Sequence, residues 1–251
     1  AKKLIKHFWP GPLTIILFVK EGTLPDAVTG GLPTAAFRCP NDDMTHDLIS
    51  GLGKPIVGPS ANTSTKPSPT TAEHVFHDLK GKIAGIIDNG PTEIGLESTI
   101  VDLSVEKPTV LRPGEITPEE ISAVLGEEVL MNRGTTQTKG VPKAPGMKYR
   151  HYAPSAPVLI VDKEEDFSKI QWDDETGVAA LDEVLEKIDS PNKYSLGKTI
   201  DKAAHNLFGA LRYFDGEDKI KRIYVQGFDH GAISAAYMNR LNKAAAGHHF
   251  H

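Results

Sequence analysis

Between Asn132 and Pro154 hydrophobic periodicity disappears, and that interruption constrains the fold more than any other feature of the chain. The run Asn132-Arg133-Gly134-Thr135-Thr136-Gln137-Thr138-Lys139-Gly140 is polar throughout, and Pro142, Pro145 and Pro154 punctuate the rest of the stretch. That is linker composition. Strand and helix patterns alternate on both sides of it. A chain of 251 residues divided there yields two α/β domains, in keeping with ~100–200 residues per domain. The expected boundaries are a first domain over 1–131, a linker over 132–154 and a second domain over 155–251.

In the first domain Leu13-Thr14-Ile15-Ile16-Leu17-Phe18-Val19 is a continuous β-prone run between turn signals and predicts a buried strand. Thr34–Arg38, Pro55–Gly58, Ile83–Ile87, Ser98–Leu103 and Thr109–Leu111 predict further strands. Met44, Leu48 and Ile49 fall at helical spacing before Gly53. A second helix opens at Thr70 with Glu73 completing a capping box, and Val75, Phe76 and Leu79 form its expected buried face. Thr117-Pro118-Glu119-Glu120 is a fuller start, with Thr as N-cap, Pro at N1 and Glu at N3. In the second domain Val158–Val161, Val178–Leu181 and Ile223–Val225 predict buried strands. Helices are expected near Thr199–Phe214 and Ala232–Ala246, which suggests a small parallel sheet.

Composition excludes several classes. Lys and Arg number 28 against 33 Asp and Glu, a net charge of −5 that argues against coating nucleic acid or an anionic membrane by bulk charge. The single cysteine, Cys39, rules out an internal disulfide framework or a Cys-based zinc finger and fits a reducing cytosol. No apolar run approaches the ~20 residues of a membrane helix, so a cytoplasmic protein is expected. His248-His249-Phe250-His251 reads as an unstructured tail rather than a metal site. There is no Walker-type loop, dinucleotide fingerprint or ordered Ser-His-Asp set.

The chemistry-bearing residues lie at strand ends. Gly58-Pro59-Ser60-Ala61-Asn62-Thr63-Ser64 offers hydroxyls and backbone N–H groups to an anion, or is a plain Ser/Asn turn. Ser98 opens a strand where its hydroxyl can meet a ligand. Arg38 and Arg112 each close a strand, where a guanidinium can grip a carboxylate or phosphate or be structurally paired. Tyr149 to Tyr152, with Lys148, Arg150 and His151 interleaved, suits stacking over a ligand or packing in a groove.

Taken in order, Phe8-Trp9-Pro10-Gly11-Pro12-Leu13-Thr14, Arg38-x-Pro40, Pro59-Ser60-Ala61-Asn62, Glu97-Ser98-Thr99-Ile100-Val101-Asp102 and Leu111-Arg112-Pro113-Gly114 closely resemble the YrdC-like family. Pro145–Pro154, followed by an α/β domain, is similar to its long two-domain branch, the L-threonylcarbamoyladenylate synthases of tRNA modification. The resemblance implies a YrdC-like twisted mixed sheet with flanking helices, then the linker and a smaller Rossmann-like parallel α/β domain. It implies a nucleotidyltransferase that makes threonylcarbamoyl-AMP and pyrophosphate from L-threonine, bicarbonate and ATP. Mg²⁺ comes with the ATP, no tightly bound cofactor is expected, and a partner complex transfers the group to tRNA.

Carried over by position, Thr34, Ser60, Asn62, Arg112 and Tyr152 match ATP-binding positions, and Arg38 and Ser98 match positions that hold threonine. No residue is expected to act as a covalent catalyst or a resident metal ligand. The family begins with a further stretch carrying a Lys-x-Arg motif, so the resemblance implies that this sequence starts inside the family's fold. Rival readings are a YrdC-like domain for a different carbamoyl transfer and a YrdC-like RNA-binding or regulatory protein without turnover. A weak direct contact with tRNA belongs to the same set of expectations.

Overall fold

The computed structural model describes residues 1–132, 152–229 and 232–251. They form two compact units, one of residues 1–59 and 97–132 and one of residues 60–96, 152–229 and 232–251. The chain is therefore α/β throughout, but the stretch 60–96 clusters with the residues that come after the linker.

In the first unit helix α1 (Lys2–Phe8) leads into strand β1 (Leu13–Phe18). The short helix α2 (Asp26–Thr29), strand β2 (Thr34–Arg38) and helix α3 (Asp43–Leu52) come next. The order of the five-stranded sheet is β2-β1-β3-β4-β5, with β3 at Thr99–Asp102, β4 at Thr109–Arg112 and β5 at Leu130–Met131. β1 runs antiparallel to β2 and parallel to β3, so the sheet is mixed. Alternation sends Leu13 and Ile15 to one face, where they bury with Leu4 of α1, Val101, Val110 and Ile121 of helix α5 (Pro118–Leu125). Thr14 and Ile16 point to the other face, where Ile16 packs with Ile100 and Leu111. α5 starts with the expected capping box between Thr117 and Glu120 and stops at Gly126 in the left-handed conformation. α3 is capped by Asp42, whose carboxylate accepts from the Thr45 amide, and it ends at left-handed Gly53.

The second unit contains helix α4 (Ala72–Leu79) and a four-stranded sheet of order β6-β9-β7-β8. These strands are β6 (Val158–Val161), β7 (Thr176–Ala180), β8 (Lys193–Ser195) and β9 (Arg222–Gln226). Every pair is parallel, and the connections include helix α6 (Asp182–Leu185) and helix α7 (Ile200–Asp215). Helix α8 (Ala232–Ala244) comes after β9. One core joins Leu96, Tyr152, Ile160 and Ala179 to Leu207, Phe208 and Leu211 of α7 and Tyr237 of α8. β7 is buried along its whole length, as a central parallel strand must be.

Five local expectations are corrected. Pro55–Gly58 and Ile83–Ile87 are not strands; they are exposed coil, with Val57 72% and Ile87 67% accessible. Their β-prone sequence pairs with no strand in either sheet, and without pairing an extended segment has nowhere to place its backbone hydrogen bonds except water. The cap of α4 is Thr71, one residue later than expected, because the Thr70 amide and hydroxyl meet the His74 ring instead. The buried residue of α4 is Asp78, while Phe76 is exposed. The terminal tail is ordered: Ile160 donates to the His248 carbonyl, Phe250 donates back to Ile160, and the Phe250 ring meets Tyr224 edge-on.

Candidate functional site

Register assembles one row across the first unit's sheet. Arg38 of β2 lies opposite Thr14 of β1, Thr14 opposite Ile100 of β3, and Ile100 opposite Arg112 of β4. Paired residues share a face, so the two arginines stand on the same side of the sheet, away from α1 and α5. Three interstrand steps separate their backbones by roughly 14 Å. Thr34 shares the β2 face with Arg38, at the far end of the strand opposite Phe18, and is buried.

Hydrogen bonds tie the middle of this row together. Arg112 is buried, and its Nε and Nη2 both donate to the Ser98 carbonyl, at 3.1 and 2.9 Å. Nη2 also reaches Ser98 Oγ at 3.2 Å, and that hydroxyl shares a 2.7 Å hydrogen bond with Thr14 Oγ1. Arg38 by contrast is exposed at its strand end. The site therefore has a held guanidinium clamped on Ser98 and an accessible one at its rim. Gly114 is required for this closeness: a Cβ there would run into the backbone amide of Thr99. Thr14 carries no mark of its role in the sequence. Its only signal is a hydroxyl within an otherwise apolar strand run.

Ser60, Asn62 and Tyr152 lie in the second unit. Ser60 is exposed. Asn62 is half-buried; its Nδ2 donates to the carbonyls of Thr63 and Lys66, and its Oδ1 is buried with no hydrogen-bond partner among the described residues. An acceptor in that state suits a donor from a ligand. Tyr152 is buried, takes a positive φ of 68°, and packs on Phe208 of α7 with ring centroids 5.0 Å apart. The rest of the linker's aromatic and basic run, through His151, lies outside the described residues.

The loop is braced by a pair that sequence reading missed. The Thr63 amide donates to Asp78 Oδ2 at 2.9 Å, and Arg212 of α7 pairs with the same carboxylate at 2.9 Å. Burial raises the Asp78 carboxyl, but hydrogen bonds from Arg212, His77 and the Thr63 amide outweigh it and hold the group well below the usual carboxylate range. Beside them burial, aided by the Arg212 charge, lowers His74. Among the described residues no three His, Cys, Asp or Glu side chains converge as a metal-holding group.

Residues 116–246 match the family model described as "Threonylcarbamoyl-AMP synthase, C-terminal domain", and residues 1–114 match the Sua5/YciO/YrdC model described as "Telomere recombination". The chain belongs to the threonylcarbamoyl-AMP synthase family. Its relatives include the threonylcarbamoyl-AMP synthase of Bacillus subtilis, 44% identical over 98% of this chain and 73% of the relative. The Pyrococcus abyssi enzyme of the same name is 43% identical over the same shares. The crystal structure of P. abyssi Sua5 complexed with L-threonine superposes with a TM-score of 0.89 at 40% identity, covering all of this chain and 76% of that one. For this synthase family, the α/β architecture of a mixed sheet followed by a parallel one is thus shared with a solved member.

Proposed function

We propose that the chain condenses L-threonine, bicarbonate and ATP into threonylcarbamoyl-AMP, with release of pyrophosphate and water. The threonine amine takes up bicarbonate to give a carbamate and one water; a carbamate oxygen then attacks the α-phosphorus of ATP and expels pyrophosphate. Both steps depend on positioning, charge stabilisation and exclusion of bulk water rather than on a covalent enzyme intermediate. ATP enters as its Mg²⁺ complex, in which the metal offsets charge on the leaving pyrophosphate.

The observation that carries the reading is the row Arg38–Thr14–Ile100–Arg112 with Ser98 clamped beneath it. Exposed Arg38 pairs with the threonine carboxylate, and the Ser98 hydroxyl, steadied by Thr14 and Arg112, contacts the same substrate. Arg112 supports the phosphate side, with Thr34, Ser60, Asn62 and Tyr152 as the further nucleotide contacts. Asn62 Oδ1 suits an amino donor on the ligand. The product passes to a tRNA-modifying threonylcarbamoyl transferase complex in the cytoplasm, where any contact of this chain with tRNA is weak. No described helix is long and apolar enough to cross a membrane.

Pyrophosphate release from ATP, with threonine and bicarbonate omitted in turn, tests the assignment. Release that needs both substrates is expected. Release that ignores either one would overturn it, as would tight salt-sensitive tRNA binding with no turnover.

A further inference from the structure

Two side chains in the last turn of α7 reach the loop that begins at Ser60. Arg212 and Asp215 are three residues apart and so emerge on one side of the helix. Arg212 pairs with Asp78, which accepts from the Thr63 amide, and it also donates to the carbonyls of Pro67 and Ser68 at 2.6 and 3.3 Å. Asp215 pairs with Lys66 at 2.7 Å, and the Lys66 carbonyl accepts from the Asn62 amide group.

Asp215 also accepts from the Ser155 amide at 2.6 Å, so the same carboxylate holds the chain as it leaves the linker. There the Ala153 amide donates to the Thr65 carbonyl, and Tyr152 packs on Phe208, one turn earlier in α7. Thr65 and Tyr152 both adopt positive φ, 78° and 68°, a backbone conformation that side-chain-bearing residues keep only when their surroundings enforce it.

We propose that Arg212 and Asp215 are positioning residues for nucleotide binding. Through Asp78 and Lys66 they fix the 60–66 loop, and through Ser155 they fix the linker's exit at Tyr152, so both ATP-contacting segments are referenced to one helix. This gives the C-terminal domain a role in assembling the site, and it rests on the assignment of Ser60, Asn62 and Tyr152 to ATP.

The test measures ATP and L-threonine dissociation constants by calorimetry, with hydrogen exchange of the 60–66 amides, on folded variants of the chain. Asp215→Asn keeps size and removes the Lys66 ion pair; it is expected to weaken ATP binding about tenfold while leaving threonine binding within about twofold. Arg212→Met is expected to weaken ATP binding further, and Arg212→Lys to restore part of the loss, since a lysine keeps the charge without the planar fork. Both losses should come with faster exchange in the 60–66 loop. Unchanged ATP affinity in folded Asp215→Asn, while Ser60→Ala and Asn62→Ala lose it, overturns the positioning role and leaves the loop assignment standing. If Ser60→Ala and Asn62→Ala also bind ATP normally, the loop assignment itself fails and takes the proposal with it. Should Arg212→Met not fold, Asp215→Asn alone decides.

Discussion

The carbonyl of Ser98 accepts two hydrogen bonds from one guanidinium, that of Arg112, at 3.1 and 2.9 Å. The arginine thus fixes the backbone at the entry to β3, and its third contact, together with Thr14, fixes the Ser98 hydroxyl. Ser98 is the member of that cluster proposed to contact threonine. Thr14 and Arg112 determine where its oxygen can be.

Removing the Thr14 hydroxyl isolates that effect. Thr14→Val preserves shape but leaves the buried Ser98 hydroxyl short of a partner, at a cost of about 1–2 kcal/mol in stability. The threonine KM is expected to rise about three- to tenfold with the ATP KM unchanged. Steady-state kinetics beside a urea melt measure both; an unchanged threonine KM would separate Ser98 from the amino-acid pocket.

Arg38 stands at the exposed end of the row and is expected to contribute through charge. Arg38→Ala should raise the threonine KM roughly tenfold or more, the scale of a charge-assisted hydrogen bond, before ATP dependence changes. The comparison is made by varying each substrate at saturation of the other. Equal loss for both substrates would assign Arg38 to the nucleotide instead.

Acid should loosen the second unit in two stages. His74 titrates below the ordinary histidine value because of burial and the nearby Arg212, so protonation favours the unfolded chain and its contribution fades as the pH falls below about 6.5. Burial raises the Asp78 and Asp215 carboxyls, yet their hydrogen-bonded partners pull both below the ordinary value. Their contribution is complete above about pH 4 and is lost as the pH falls through their depressed folded values. Melting temperatures from pH 8 to pH 3 should decline with decreasing pH. A flat profile over that range would contradict the buried-pair account.

Thr117→Ala removes one half of the capping box of α5, the hydroxyl that accepts from the Glu120 amide, and keeps the backbone amide that donates to the Glu120 carboxylate; α5 lies on the sheet face opposite the Arg38–Arg112 row. A loss of about 1 kcal/mol is expected, with both substrate KM values unchanged. Chemical denaturation gives the first quantity and kinetics the second; an altered threonine KM would tie α5 to the site through the sheet.

Much of the fold could be read locally. The start and stop of α5, the extent of β2 and the beginning of α7 at Thr199 all depend on side chains within one turn of the backbone they cap or terminate. Of the site, Arg38, Ser98 and Arg112 were legible as polar residues at strand ends. Thr14 was not, because nothing in a single strand says which residue of another strand will face it. The pair Asp78–Arg212 left no local trace either, since its members stand 134 positions apart.

By itself the sequence determined that this is an α/β chain of two patterns separated by a polar, proline-rich stretch, and its ordered motifs determined the family. Those properties depend on backbone preference and periodicity, which act over a few residues. Tertiary structure alone decided that Pro55–Gly58 and Ile83–Ile87 remain exposed coil, that the buried residue of α4 is Asp78, and that Arg38 and Arg112 share one sheet face. Burial, register and ion pairing depend on what packs against a residue, and in a parallel or mixed sheet that neighbour is supplied by distant chain.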